Sequence, residues 1–221
     1  MLVSSRSFDE YVAMFGLDVD DLPASVLDCC AGAASFVAEL TARGVPAIAI
    51  DPAYDLPATA LEERVRADLG GCVDMLLHDH KHFTWSWYGS LERREGLRHA
   101  AAARFLADYR DAPAGRYRAA SLPHLPFADD EFALAVCSHL LFTWAPELDR
   151  AWHRAALLEL SRVATEVRVF PLVLRATGAP VDFLQPLMED LRSTGLKTRL
   201  ADVPYEFQRG AHQMLVVTRA G

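Results

Sequence analysis

The stretch Val26-Leu-Asp-Cys-Cys-Ala-Gly-Ala-Ala-Ser-Phe36 decides how this chain is read. An apolar run, Ser25 to Asp28, breaks into a turn of small residues around Gly32 and then into a helical pattern from Ala33 to Ala42. Gly32, flanked by Ala31, Ala33 and Ala34, lets the backbone turn tightly and brings N–H groups close to a ligand. Nineteen residues after Gly32, a second apolar run, Ala47-Ile-Ala-Ile-Asp51, ends in an acid. A carboxylate there is placed to accept hydrogen bonds from both hydroxyls of a ribose, each charge-assisted bond being worth roughly 1.5–3 kcal/mol. The turn departs from the Gly-x-Gly-x-x-Gly pattern that receives a pyrophosphate. Two readings follow: a site for adenosine without a diphosphate, or a tight structural turn.

Working outward, further apolar runs lie at Phe132 to Cys137, Glu166 to Val173 and Met214 to Thr218. Apolar nearly throughout rather than alternating, they suit parallel strands covered on both faces. Helical patterns from Leu148 to Val163 and Val181 to Ser193 separate them, and strand–helix alternation predicts an open, doubly wound α/β sheet. From Pro52 to about Arg116 the interval of roughly 65 residues is too long for one helix and two loops. It holds helical patterns at Ala60 to Leu69 and Leu91 to Tyr109 around the aromatic cluster Phe83-Thr-Trp-Ser-Trp-Tyr88. Ser7 to Phe15 reads as an amphipathic helix ahead of the first strand. The expectation is one domain over residues 1–221, with lids from an N-terminal helix (1–24) and a helical insertion (55–115) at the carboxyl ends of the strands.

Of 221 residues, 52% are hydrophobic and 24% charged, which excludes a disordered or collagen-like chain. The net charge of −8 and the lack of basic runs disfavour nucleic acid as a partner. No stretch reaches the ~18 apolar residues of a membrane span, and the start, Met1-Leu-Val-Ser-Ser-Arg-Ser7, lacks a signal-peptide core. Cys29, Cys30, Cys72 and Cys137 have neither disulfide-framework nor Cys-x-x-Cys spacing, so reduced thiols and a cytoplasmic location are expected.

A second motif, Ser121-Leu-Pro-His-Leu-Pro-Phe-Ala-Asp-Asp-Glu-Phe132, runs into the strand ending Cys137, then into Ser138-His-Leu-Leu-Phe142, with Glu159-Leu-Ser-Arg-Val163 before the next strand. Together with Leu27-Asp-Cys-Cys-Ala-Gly32 and Asp51, this pattern resembles the class I S-adenosylmethionine (SAM) dependent methyltransferases over about Val26 to Thr218. The first motif and Val203-Pro-Tyr-Glu-Phe-Gln-Arg-Gly210 resemble a bacterial subgroup of small relatives. The resemblance implies a three-layer Rossmann-like fold of seven strands, the last antiparallel at Gln213 to Arg219, with SAM as cofactor and a small-molecule substrate. By position it implies that Asp28 and Gly32 line the methionyl part, Asp51 the ribose, and Ser121 and Leu122 the adenine. Cys30, Ala31, Pro52, Ser138 and His139 complete the implied cofactor set. Ser121 stands where many members carry Asp, and Cys30 and Ala34 replace two of the family's glycines.

His139 follows the fourth strand, where a general base would face a transferring group; it could equally hold Ser138 or a loop carbonyl. Tyr11 and Tyr205 are further catalytic candidates, and Tyr11 and Arg6 could reach a methionyl carboxylate. Trp85, Trp87, Tyr88, Phe142 and Gln208 are candidate substrate contacts; the aromatic rings offer cation–π faces or pin the lid. His78, His80 and His82 read as a solvated stretch rather than a metal site, and Trp144, Trp152 and His153 as packed in the core or at its edge. Ser138-His-Leu-Leu lacks the Asn/Asp-Pro-Pro-aromatic pattern of base-amine methylation. The resemblance thus leads to methyl transfer onto a small, partly apolar acceptor. An alternative is closure of SAM's own aminobutyrate arm into a cyclic amino acid (azetidine-2-carboxylate or 1-aminocyclopropane-1-carboxylate) with release of methylthioadenosine. A binding module without turnover is a third reading; a dehydrogenase is disfavoured by Asp28 and by Leu125-Pro-Phe127.

Overall fold

The computed structural model describes residues 3–78 and 82–219. Its strands are β1 (Val26–Cys29), β2 (Ala47–Ile50), β3 (Tyr117–Arg118), β4 (Phe132–Ser138), β5 (Ala164–Phe170), β6 (Leu196–Asp202) and β7 (Gln213–Arg219). They form one sheet in the order β3-β2-β1-β4-β5-β7-β6, parallel except that β7 runs antiparallel to both neighbours. All four residues of β1 are buried, because both faces of the sheet are covered. One apolar cluster packs on the face of Val26, the other on the face of Leu27 and Cys29.

The helices are α1 (Phe8–Phe15), α2 (Phe36–Ala42), α3 (Ala58–His78), α4 (Leu91–Asp111), α5 (Arg150–Val163) and α6 (Leu184–Ser193). Ser7 opens α1 with a capping box: its hydroxyl accepts from the Glu10 N–H, and the Glu10 carboxylate accepts from the Ser7 N–H. Gly16 closes the helix in the left-handed conformation at φ 56°. The predicted helices are all present, two of them starting three residues late. α2 begins at Phe36 because Ala33 to Ser35 belong to the turn, and α6 begins at Leu184 rather than at Val181. β5 ends at Phe170 instead of reaching Val173, since Pro171 has no N–H to continue the ladder.

The insertion is α3 and α4 with the aromatic segment between them. A 3-10 turn, Pro52–Asp55, leads into it and places Tyr54 against Phe105, Tyr109 and Tyr117. On α4, Arg94 and Arg98 are buried together with Ala101, Ala102 and Phe105. Two of the residues this helix turns inward are therefore cations. No helix among the described residues is long and apolar enough to cross a membrane.

Candidate functional site

A cavity of about 370 Å³ lies beyond the carboxyl ends of β1, β2, β4 and β5, reached by Cys30, Asp51, Ser138, His139 and Phe170. This is the crevice where open α/β sheets bind ligands. The N-terminal segment contributes Ser4 and Arg6, the insertion His82, Phe83, Arg94 and Arg98, and the β6–β7 connection Tyr205, Phe207 and Gln208.

The turn after β1 builds one end. Gly32 has φ +58°, and a Cβ on it would stand 2.8 Å from the Ser4 carbonyl oxygen. Only glycine lets the N-terminal segment lie on this turn, where Ala33 N–H donates to the Ser4 carbonyl (3.1 Å) and Ser35 N–H to that of Arg6 (2.9 Å). The Gly32 N–H also donates to Asp51 Oδ2 (3.0 Å), and Ala53 N–H to Asp51 Oδ1 (2.9 Å). Burial raises the Asp51 pKa against the pull of these two donors. A carboxylate offers about four lone-pair sites, so capacity remains for two hydroxyls.

Arg6 is held over this end. Its Nη1 donates to Ser4 Oγ at 2.7 Å, while its enclosed Nε has no partner among the described residues. Burial and the neighbouring Arg98 charge lower its pKa, against the opposing pull of Glu10.

His139 sits at the centre, in the left-handed region at φ 58°, anchored by its N–H to the Phe170 carbonyl (2.8 Å). Its Nδ1 is 2.8 Å from Ser138 Oγ. Burial lowers its pKa well below the ordinary value, and the charges of Arg6, Arg98 and Arg94 lower it further. The imidazole is neutral at pH 7 and able to accept a proton.

Behind the cavity, a buried network ties three separate segments together. Arg98 Nη2 lies 2.8 Å from Glu10 Oε1 and 3.1 Å from the Tyr88 hydroxyl, and Nη1 donates to the Ser5 carbonyl. The Tyr88 hydroxyl donates to Glu10 and stands 2.8 Å from that of Tyr205. Burial opposes ionisation of Glu10, but Arg98, Arg6 and the Tyr88 hydroxyl outweigh it and hold the carboxyl below its usual value.

Several expected site residues lie elsewhere. Asp28 is fully buried on the Val26 face of β1, one residue short of the strand's end; it accepts the Tyr11 hydroxyl at 3.2 Å and does not line the cavity. Tyr11 stacks on Phe36 at 4.4 Å and is likewise behind the wall. Ala31 and Gly32 shape the turn, and Pro52 is exposed at the start of the 3-10 turn. Ser121 is exposed, and Leu122 is buried in the apolar cluster on the Leu27 face; neither lines the cavity.

The expected substrate contacts divide in the same way. Trp85 packs on Phe207, Trp87 on Tyr88 and Tyr205, and Phe142 on His153, so these rings support the walls rather than form them. Tyr88 is fully buried in the network. Arg6, Gln208, Tyr205, Cys30, Asp51, Ser138 and His139 are brought together around the cavity. Trp144, expected in the core or at its edge, packs against the cluster on the Leu27 face and also lines the cavity, as do Arg94, Arg98 and Arg175. The spacing of Arg94 and Arg98 on one helix face was the available signal. His80 and the side chain of His78 lie outside the described residues; His82 lines the cavity. Cys29, Cys30 and Cys137 are free thiols, while the side chain of Cys72 is outside the described set.

Asp28 yields a stability prediction. Its Oδ2 has no hydrogen-bond partner among the described residues, and burial pushes its pKa from 3.8 to about 8. The folded state therefore keeps a proton that the unfolded chain releases, so stability falls as pH rises from about 4 to 8. Asp28→Asn is expected to flatten that decline in denaturant titrations at pH 5 and pH 8. An unchanged slope would assign the pH dependence to other groups.

No family model matches the chain. The uncharacterised protein MJ0045 of Methanocaldococcus jannaschii is 30% identical over 215 residues, covering 97% of this chain and 94% of that protein. Among solved structures, magnesium protoporphyrin IX methyltransferase (ChlM) from Synechocystis PCC 6803 with bound S-adenosylhomocysteine (SAH) aligns with a TM-score of 0.51 at 12% identity, covering 96% of this chain and 81% of that one. WbdD, in co-crystals with the kinase inhibitor LY294002, aligns at 0.50 and 15% identity, over 96% of this chain and 38% of that one. The sheet order, the cavity's position and an alignment spanning nearly both sequences lead to one statement: the chain belongs to the family of MJ0045 and has the Rossmann-like fold of class I methyltransferases.

Proposed function

We propose that this chain is a SAM-dependent methyltransferase acting on a compact small-molecule acceptor. The observation that carries the reading is one cavity with a backbone-held carboxylate, Asp51, and an enclosed cation, Arg6, whose Nε has no hydrogen-bond partner among the described residues, at one end and a neutral histidine, His139, beside them. Asp51 fits the ribose hydroxyls and Arg6 the methionyl carboxylate. SAM, when bound, supplies an electrophilic methyl group on a positive sulfur. The chain's own task is to hold the acceptor in line, exclude water and take up the acceptor's proton at His139, whose ring Ser138 orients.

At about 370 Å³ the cavity is near the lower end of the ~300–1,000 Å³ typical of small-molecule sites, which favours a compact acceptor. The same compactness favours, as a second reading, cyclisation of SAM's aminobutyrate arm without any acceptor. Incubation with SAM alone separates them, since enzyme-dependent methylthioadenosine would displace methyl transfer. Calorimetry with SAH tests the cofactor assignment. Asp51→Ala is expected to weaken SAH about tenfold or more, because one charged hydrogen bond is worth over ~1.4 kcal/mol. Equal affinity would put the ribose elsewhere.

A further inference from the structure

The cavity has two halves fixed by the sheet order. Asp51, Cys30 and Arg6 lie over β1 and β2; Trp144, Arg175 and Gln208 lie on the other side of His139, toward β5 and β7. The second half is not used by the cofactor reading, and its charge is unusual for an acidic protein. Four arginines line the cavity (Arg6, Arg94, Arg98 and Arg175) against one carboxylate, Asp51. Arg98 is neutralised by Glu10 and Arg94 by Glu95, and the methionyl carboxylate would answer Arg6. Arg175 is exposed and has no carboxylate at ion-pair distance among the described residues; its guanidinium sits over the Trp144 ring, 4.5 Å from the centroid. SAM adds one further net positive charge to the cavity, so a neutral acceptor would leave this mouth cationic.

The position of Arg175 is built. Its N–H donates to the Thr143 carbonyl (3.2 Å), and Gln208 Nε2 donates to the carbonyls of Leu174 (2.8 Å) and Arg175 (3.1 Å). Gly178, at φ +69°, lets that loop pass the Arg209 backbone, whose carbonyl would be 3.0 Å from a Cβ. A guanidinium held over an indole by its Cζ keeps N–H donors for a ligand, and their fork matches the two oxygens of a carboxylate. One unpaired guanidinium answers a monoanion; a phosphate dianion would call for a second cation there. Trp144, Phe170 and Phe207 give the lining an aromatic character, which suits a flat apolar body.

We infer that the acceptor is a small aromatic carboxylate bearing a ring hydroxyl, its carboxylate bound by Arg175 on Trp144 and its hydroxyl directed toward His139, which takes the hydroxyl proton as that oxygen receives the methyl group. The inference rests on the cofactor reading above and names the substrate class for it. The test is ligand-observed NMR on the SAH-saturated protein with a panel of small aromatic carboxylates, each paired with its primary amide, and a set of aryl phosphates. Acids are expected to bind at least tenfold more tightly than their amides. Arg175→Gln is expected to remove that preference, and Arg175→Lys to restore part of it, with calorimetric SAH affinity unchanged within about twofold. No acid–amide preference, a preference that survives Arg175→Gln, or tighter binding of aryl phosphates would overturn the inference while leaving the cofactor reading intact. Failure of the wild-type protein to bind SAH would overturn both.

Discussion

Glu10→Leu is expected to lower the unfolding free energy by about 3–5 kcal/mol, the cost of removing one partner from a buried ion pair. Glu10 is fully buried, and its loss leaves Arg98, whose side chain is 7% exposed, charged and enclosed without a counter-ion. For a chain of this size the loss corresponds to a fall in Tm of roughly 6–20 °C. The effect should reach the cavity, because the same carboxylate accepts from Tyr88, which in turn meets Tyr205 on the cavity wall. The double variant Glu10→Leu/Arg98→Met removes both charges and should recover a substantial part of the loss. A single-variant cost below about 1 kcal/mol would show that water reaches Arg98 and that the network does not hold the segments together.

His139→Asn is expected to reduce kcat by about 10²- to 10⁴-fold, the range for losing a positioned general base. Asparagine tolerates the left-handed backbone at this position, so the φ of 58° need not change. SAH affinity should remain close to wild type, which separates loss of a base from loss of the cofactor end. Since burial and nearby arginines depress the His139 pKa, the imidazole stays neutral well below pH 6.5. The rate of the wild-type enzyme is accordingly expected to stay level between pH 7 and 6.5 and to decline only in more acid solution. Unchanged kcat in the variant would leave His139 as a holder of Ser138 and of the Phe170 loop alone.

The fold was legible in the sequence because strands buried on both faces write themselves as largely apolar runs: parallel β1, β2 and β4 and antiparallel β7 all do. β6 was not, since it is an edge strand whose sequence Leu196-Lys-Thr-Arg-Leu-Ala-Asp202 has three of seven residues exposed and none fully buried. β3 is two residues long and carries no pattern of its own. Asp51 and His139 were legible as cavity-lining residues because polar residues at the end of an apolar run stand at the strand's tip. Asp28 misled for the same reason by one position: a residue still inside β1 faces the neighbouring layer, so its carboxyl met Tyr11 instead of the cavity. Arg175 and Gln208 are joined by a hydrogen bond across 33 residues, a relation that no local spacing encodes.

The most direct test of the account is a crystal structure with SAH. The expected map has the ribose hydroxyls on Asp51, the amino-acid carboxylate on Arg6 and the sulfur facing His139. A map with SAH bound at another surface, or with its ribose away from Asp51, would contradict it.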